Sequence, residues 1–311
     1  LYGLIPVFVD VELNTMNASI EQLAKAISLQ TKAIFMPHNL GVPFDVAGVQ
    51  RLCQQHQLWL IEDCCDALGS IVGGNPVGSF GDLATFSCYA GHHLTMGEGG
   101  AVVAKTKELA RLVRRFRDWG RDCWCRTGED NACGKRFRFT FGELPPGYDH
   151  KYVFTEVGYN LKITDIQAAA GVSQLKKLDT FTQRRRRNFE VLSRGLAPYH
   201  QWLRLPQAPL GTEPSWFGFS LTVRPDAPFT RQELINYLES AKIATRLILA
   251  GNLTKQPYLK TSEGPDRQVG ELPNTDTIMR QSFWVGCFHG LGDEEMAYIV
   301  KAFREFFRRY R

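Results

Sequence analysis

Two hydrophobic periods alternate over the first 116 residues, and this constrains the chain more than any other feature. Short strand-like apolar runs at 6–11, 32–36, 58–62, 83–88 and 101–104 are interleaved with helical spacing at 20–28, 46–57 and 106–116. Side chains repeat every two residues in a strand and every 3.6 in a helix, so the two patterns are not interchangeable. Strands separated by helices of this length pair in parallel, because a parallel connection must cross the sheet. The expectation is an α/β fold with a mostly parallel sheet. Ser19, with Gln22 three residues on, marks the start of the first helix.

The pattern breaks at 119–157, a stretch rich in Gly, Asp, Arg, Pro and aromatics. It is too long for an ordinary connection and reads as functional. Helical spacing returns at 163–178 and 181–196. Strands at 217–223 and 244–249 and helices at 231–242 and 294–309 then describe a smaller α+β unit. We divide the chain into a large domain, 1–178, and a linking helix with a small C-terminal domain, 179–311. With 311 residues, 44% apolar and 22% charged, disordered and fibrous classes are excluded. A net charge of 37 − 32 = +5 is too mild for an electrostatic nucleic-acid binder. The four arginines at 184–187 read as solvated helix faces. No apolar run approaches ~18 residues, so no membrane span is expected. No basic-plus-apolar leader is visible, which points to the cytoplasm. The chain opens on Leu1 rather than Met, so we read it as a fragment lacking its N-terminal part.

Of the eight cysteines, three lie in the irregular stretch. Without a leader they are expected reduced. Cys65, Cys123, Cys125 and Cys133 are separated by 57, 1 and 7 residues. Three thiols in one loop, with a fourth from beside a strand, can close a four-thiolate site suited to zinc or an iron–sulfur cluster. The spacing is neither a paired CxxC ribbon nor a ferredoxin run, so the residues alone leave both metals open. Cys53, Cys88 and Cys287 read as small buried hydrophobes.

Three segments carry the chemistry. Residues 58–63 read Leu-Trp-Leu-Ile-Glu-Asp. Residues 87–100 read Ser-Cys-Tyr-Ala-Gly-His-His-Leu-Thr-Met-Gly-Glu-Gly-Gly. Residues 158–171 read Gly-Tyr-Asn-Leu-Lys-Ile-Thr-Asp-Ile-Gln-Ala-Ala-Ala-Gly. With Pro-His-Asn-Leu-Gly at 37–41, then Asp45, they resemble the DegT/DnrJ/EryC1/StrS sugar aminotransferases over nearly the whole chain. That family uses pyridoxal phosphate on the type I, aspartate-aminotransferase-like fold. The resemblance implies that Asp63 keeps the cofactor's pyridine nitrogen protonated, making the ring an electron sink. It implies that Ser87 binds the cofactor phosphate. Asn160 would reach the phosphate of the neighbouring subunit, which makes the protein a homodimer.

The departure from that family is more informative than the match. His92 stands where the family carries its cofactor-anchoring lysine, and no lysine occurs between Ser87 and Gly100. Histidine cannot form a Schiff base, so the transaminase cycle is excluded. Chemistry on pyridoxamine phosphate remains: its amine condenses with a sugar ketone, a base removes a proton from C4′, and a hydroxyl leaves the adjacent sugar carbon. Imidazole, with an ordinary pKa near ~6.5, suits the base. Asp66 and Tyr89 differ from the transaminase habit and are expected to face the reaction centre. Phe217, Arg246 and Asn252 are read as substrate-side residues, and His93 as structural.

The histidine-for-lysine exchange and the cysteine spacing together resemble a branch of the family that combines pyridoxamine phosphate with a [2Fe–2S] cluster. This resemblance selects Cys65 over Cys64 and assigns the cluster to Cys65, Cys123, Cys125 and Cys133. It implies a CDP-linked 4-keto-6-deoxy-D-glucose as substrate, loss of its C3 hydroxyl, and electrons from an NADH-dependent iron–sulfur flavoprotein reductase. The product would feed the 3,6-dideoxyhexoses of lipopolysaccharide O-antigen. Arg114, Arg115, Arg117, Arg121 and Arg126 are expected to attract that reductase. Two alternatives stand beside this reading: a cluster-free dehydratase of a GDP sugar, and a zinc-stabilised homologue without catalysis.

Overall fold

Four strands build the first sheet in a computed structural model of the chain, which describes residues 2–125, 128–261 and 266–310. They are β1 (Ala33–Pro37), β2 (Trp59–Asp63), β3 (Leu83–Ser87) and β4 (Gly100–Ala104), in spatial order β1-β2-β3-β4. The first three run parallel and β4 antiparallel, as the strand–helix alternation predicts. Helices α1 (Ile20–Ala26) and α2 (Val46–His56) pack on this sheet through Leu23, Val49, Leu52 and Leu60. Ser19 caps α1 by accepting the Gln22 N–H, and Asp45 caps α2 by accepting that of Gly48. The register sets Pro37 and Asp63, at the C-terminal ends of β1 and β2, beside Thr85 in the middle of β3. That end of a parallel sheet is where α/β proteins place ligands.

Helices α3 (Lys107–Arg117), α4 (Asp165–Leu175) and α5 (Leu178–Leu196) follow. Between α3 and α4 the chain is irregular, with one helical turn at His150–Tyr152. The second sheet holds β5 (Leu203–Arg204), β6 (Gly218–Val223), β7 (Thr245–Leu247) and β8 (Ser282–Gly286), in order β7-β8-β6-β5 and antiparallel throughout. Every residue of β6 is buried. Helices α6 (Arg231–Ser240), α7 (Pro273–Gln281) and α8 (Asp293–Phe307) complete this half. Its core joins Leu192 and Leu196 of α5 to Phe219, Leu221, Phe283, Val285, Phe303 and Phe307.

Several boundaries differ from expectation. The strand at 6–11 contracts to Val7–Phe8, paired in parallel with Arg267–Gln268. The second long helix begins at Leu178 rather than 181. Neither α7 nor β8 was expected. Helix α7 starts on a proline with no side-chain cap, and β8 is a five-residue run that only its neighbours β6 and β7 define. No helix among the described residues is long and apolar enough to cross a membrane.

Candidate active site

Asp63 closes β2 and is fixed by its neighbours. One carboxylate oxygen, Oδ1, accepts the Cys65 N–H at 3.0 Å and the Thr85 hydroxyl at 3.1 Å. Oδ2 has no hydrogen-bond partner among the described residues. The preceding Glu62 is fully buried. Its carboxylate accepts N–H groups from Gly78, Phe80 and Gly81 and meets His38 Nε2 at 3.0 Å. Burial opposes that charge, but His38 and the backbone donors outweigh it and hold the carboxyl below its ordinary range. Sequence reasoning missed this pair. The tandem acids at a strand end were the available signal. His38, Glu62 and Cys64 form the one group of metal-type donors lying within 4.8 Å of one another among the described residues. With four hydrogen bonds on the Glu62 carboxylate, the group reads as a satisfied network that holds the end of β2.

The loop carrying His92 runs from Ser87 to Gly100, which face each other across β3 and β4. A Cβ at Gly100 would meet the Phe86 carbonyl oxygen at 2.2 Å, so only glycine closes the loop. The Ser87 hydroxyl accepts the Tyr89 N–H at 3.2 Å. His92 lies against Asp66, with Nε2 to Oδ1 at 3.7 Å and side chains 19% and 15% exposed. Edge-to-face contacts with Tyr89 and Phe217, at 5.9 and 5.4 Å between centroids, flank the imidazole. His92 Nδ1 is buried without a partner. Burial lowers the proton affinity of His92, partly offset by Asp63. Burial also pushes Asp66 up to about 6, with Asp63 adding to the rise. His93 is 1% exposed and donates from Nε2 to the Ser215 carbonyl at 2.6 Å. Its structural reading holds.

The fold thus gathers Asp63 and Ser87 at the ends of β2 and β3, Asp66, Tyr89 and His92 on the loops that follow, and Phe217 just before β6. Asn160 is exposed in the segment before α4, joined by a backbone bridge to Asp118. Asn252 is corrected: it is buried and committed to Asp276 and the Thr254 turn, so it is not free for substrate. Arg246 is exposed and donates to its neighbour's carbonyl, that of Thr245.

The four cysteines are not gathered. Cys65 contacts the Thr85 hydroxyl at 4.0 Å, and burial with Asp63 pushes its thiol up to about 12. Burial also raises the Cys123 thiol, which lies within hydrogen-bonding reach of Cys125. Cys133 instead meets His150 Nε2 at 3.5 Å and accepts the Lys135 N–H. His150 is itself packed among Trp124 and Phe139, 3.4 Å from Asp122. The described arrangement joins two thiols of the set and gives the others different partners. In the expected docking stretch Arg115 pairs with Asp122 and Arg117 with Asp118, while Arg126 lies outside the described residues.

The residues fit a pyridoxal-type cofactor better than they fit the cluster. A carboxylate with one free oxygen ends β2, a hydroxyl ends β3, and an imidazole with an unsatisfied buried nitrogen faces the same loops. Comparison with known proteins agrees. The chain is 50% identical to the lipopolysaccharide biosynthesis protein RfbH of Salmonella typhimurium, over 98% of this chain and 69% of the relative. It is 48% identical to the dTDP-4-dehydro-2,6-dideoxy-D-glucose 3-dehydratase of Saccharopolyspora spinosa, over 98% of this chain and 65% of that one. The chain therefore spans about two thirds of these relatives. The solved Escherichia coli GDP-4-keto-6-deoxy-D-mannose-3-dehydratase with bound hydrated PLP superposes with a TM-score of 0.84 and 29% identity, over 97% of this chain and 74% of that one. The model of the DegT/DnrJ/EryC1/StrS aminotransferase family matches residues 1–304, and the chain belongs to that family.

Proposed function

We propose that the chain is a pyridoxamine-phosphate-dependent 3-dehydratase of a nucleotide-linked 4-keto-6-deoxy sugar. One observation carries this reading: His92, which by resemblance stands where the family carries its lysine, abuts Asp66, and burial lowers its proton affinity. When bound, the cofactor supplies an amine for the sugar ketone and a ring that accepts electrons. Asp63, through its free oxygen, would hold a proton on the ring nitrogen. The Ser87 hydroxyl would hold the phosphate. His92 would act as the base at C4′ and as the acid toward the C3 hydroxyl that leaves as water. Tyr89 and Phe217 flank the imidazole edge to face and orient it. The assay is release of labelled oxygen from C3 as water.

CDP-4-keto-6-deoxy-D-glucose is the substrate we propose. Relatives are named as 3-dehydratases of dTDP- and GDP-linked sugars, so CDP-, dTDP- and GDP-linked sugars belong in one assay. Similarity to a lipopolysaccharide protein supports a place in O-antigen dideoxyhexose synthesis. A [2Fe–2S] cluster on Cys65, Cys123, Cys125 and Cys133, reduced by an NADH-dependent flavoprotein, rests on the family resemblance that the histidine-for-lysine exchange and the cysteine spacing carry. Iron and labile-sulfide analysis tests it. The separate partners of Cys65 and Cys133 favour a second reading, dehydration without a cluster. We also propose a homodimer in which Asn160 completes the partner's phosphate site. The unburied helix α4 and exposed Val157, Leu161, Ile166 and Val172 beside it support that interface.

A further inference from the structure

A buried charge lies behind His92. Arg185, in the middle of α5, is 1% exposed. Arginine is almost never fully buried unless paired with an opposite charge. The adjacent Arg186 and Arg187 find Glu213 and Asp293. Arg185 has no carboxylate at ion-pair distance among the described residues. One of its terminal nitrogens, Nη1, donates to the Trp216 and Phe217 carbonyls at 3.1 and 3.3 Å. Its Nε is buried with no partner, and the guanidinium rests 5.9 Å from the Phe288 ring.

That backbone segment supports the active site. Phe217 presents its ring to His92 at 5.4 Å. Its N–H donates to the Leu40 carbonyl, and two residues earlier Ser215 accepts from His93 on its carbonyl and donates its N–H to the Ser70 hydroxyl. Arg185 is the one cation among these supports. Burial lowers its own proton affinity to about 10, with Cys287 and Asp66 pulling the other way. Its charge in turn opposes protonation of His92, His93 and His289. Around His92 stand Asp63 at the end of β2, Asp66 in the next loop, Tyr89 and His93 in its own loop, Phe217 just before β6, and Arg185 from α5.

We propose that Arg185 is a positioning residue for His92: its Nη1 holds the Trp216 and Phe217 carbonyls and so sets the backbone that presents the Phe217 ring to the imidazole. The proposal rests on reading His92 as the base, but its test does not. In the intact chain without substrate, diethyl pyrocarbonate modifies the partly exposed His92 only as the free base, and peptide mapping gives the rate against pH. The wild-type midpoint should lie below the ordinary imidazole value. In Arg185→Met it should rise, because a nearby positive charge is removed. In Arg185→Lys, which keeps the charge and loses the paired carbonyl contacts, it should stay at the wild-type value, while C4′ hydrogen exchange falls about tenfold. A wild-type midpoint at or above the ordinary value would overturn the proposal even if neither variant folds. So would equal midpoints in folded Arg185→Met and wild type, or equal upward shifts in Met and Lys. Loss of the dehydratase reading would leave these midpoints as predicted and appear only as absent C4′ exchange in wild type.

Discussion

Asp66 and His92 are displaced from their ordinary titration ranges in opposite directions, and the site's chemistry follows from that. Asp66 is raised from 3.8 to about 6 by burial and by Asp63. The folded state therefore binds its proton more tightly, so its contribution to stability is present below the ordinary carboxyl range and is lost as pH rises toward 6. His92 is lowered, so its contribution is lost as pH falls below the ordinary imidazole range. Asp66→Asn isolates the first effect. Between pH 4 and pH 7 the wild type should lose on the order of 2 kcal/mol relative to Asp66→Asn, measured by urea unfolding of the cofactor-free chain. A constant difference would mean that Asp66 titrates normally. A residue that costs stability at neutral pH is a mark of function rather than folding. The sequence made His92 legible because a lysine was missing from a motif. It did not reveal Arg185, which reads as one of four equivalent arginines until the fold buries it alone.

At the scale of elements, strand register does the positioning. Thr85 reaches Asp63 because β2 and β3 pair those two residues, and Ser87 faces Gly100 because β4 returns antiparallel. Gly100→Ala should destabilise the chain by about 1–3 kcal/mol, as a methyl forced against the Phe86 carbonyl must open the turn. Thermal melting reads that loss. An unchanged melt would show that the loop is free to move. The alternating periods announced the first sheet and its helices to within a few residues, because each carries its own pattern and cap. Strand β8 and helix α7 were not legible. Their definition comes from pairing with β6 and β7 and from packing beneath them, which no local period records. The irregular 119–157 stretch was correctly expected, but not its small aromatic core of Trp124, Phe139 and His150. That core gives Cys133 an imidazole in place of a thiolate neighbour.

At the scale of the molecule, the proposed dimer rests on the exposed apolar band of α4. Ile166 is 85% exposed. Ile166→Glu should leave the subunit's stability within about 0.5 kcal/mol and convert a dimer to monomers in sedimentation. It should also abolish turnover if Asn160 completes the partner's site. A monomeric variant that turns over at the wild-type rate would refute the shared site. The most direct test of the whole account follows hydrogen at C4′ of pyridoxamine phosphate bound to the intact dimer with the keto sugar present. Wild type should exchange that hydrogen with solvent, and His92→Asn should bind the cofactor equally well and exchange it at least a hundredfold more slowly. Exchange at the wild-type rate in His92→Asn would contradict the account, because the proton would then move without the residue that defines the site.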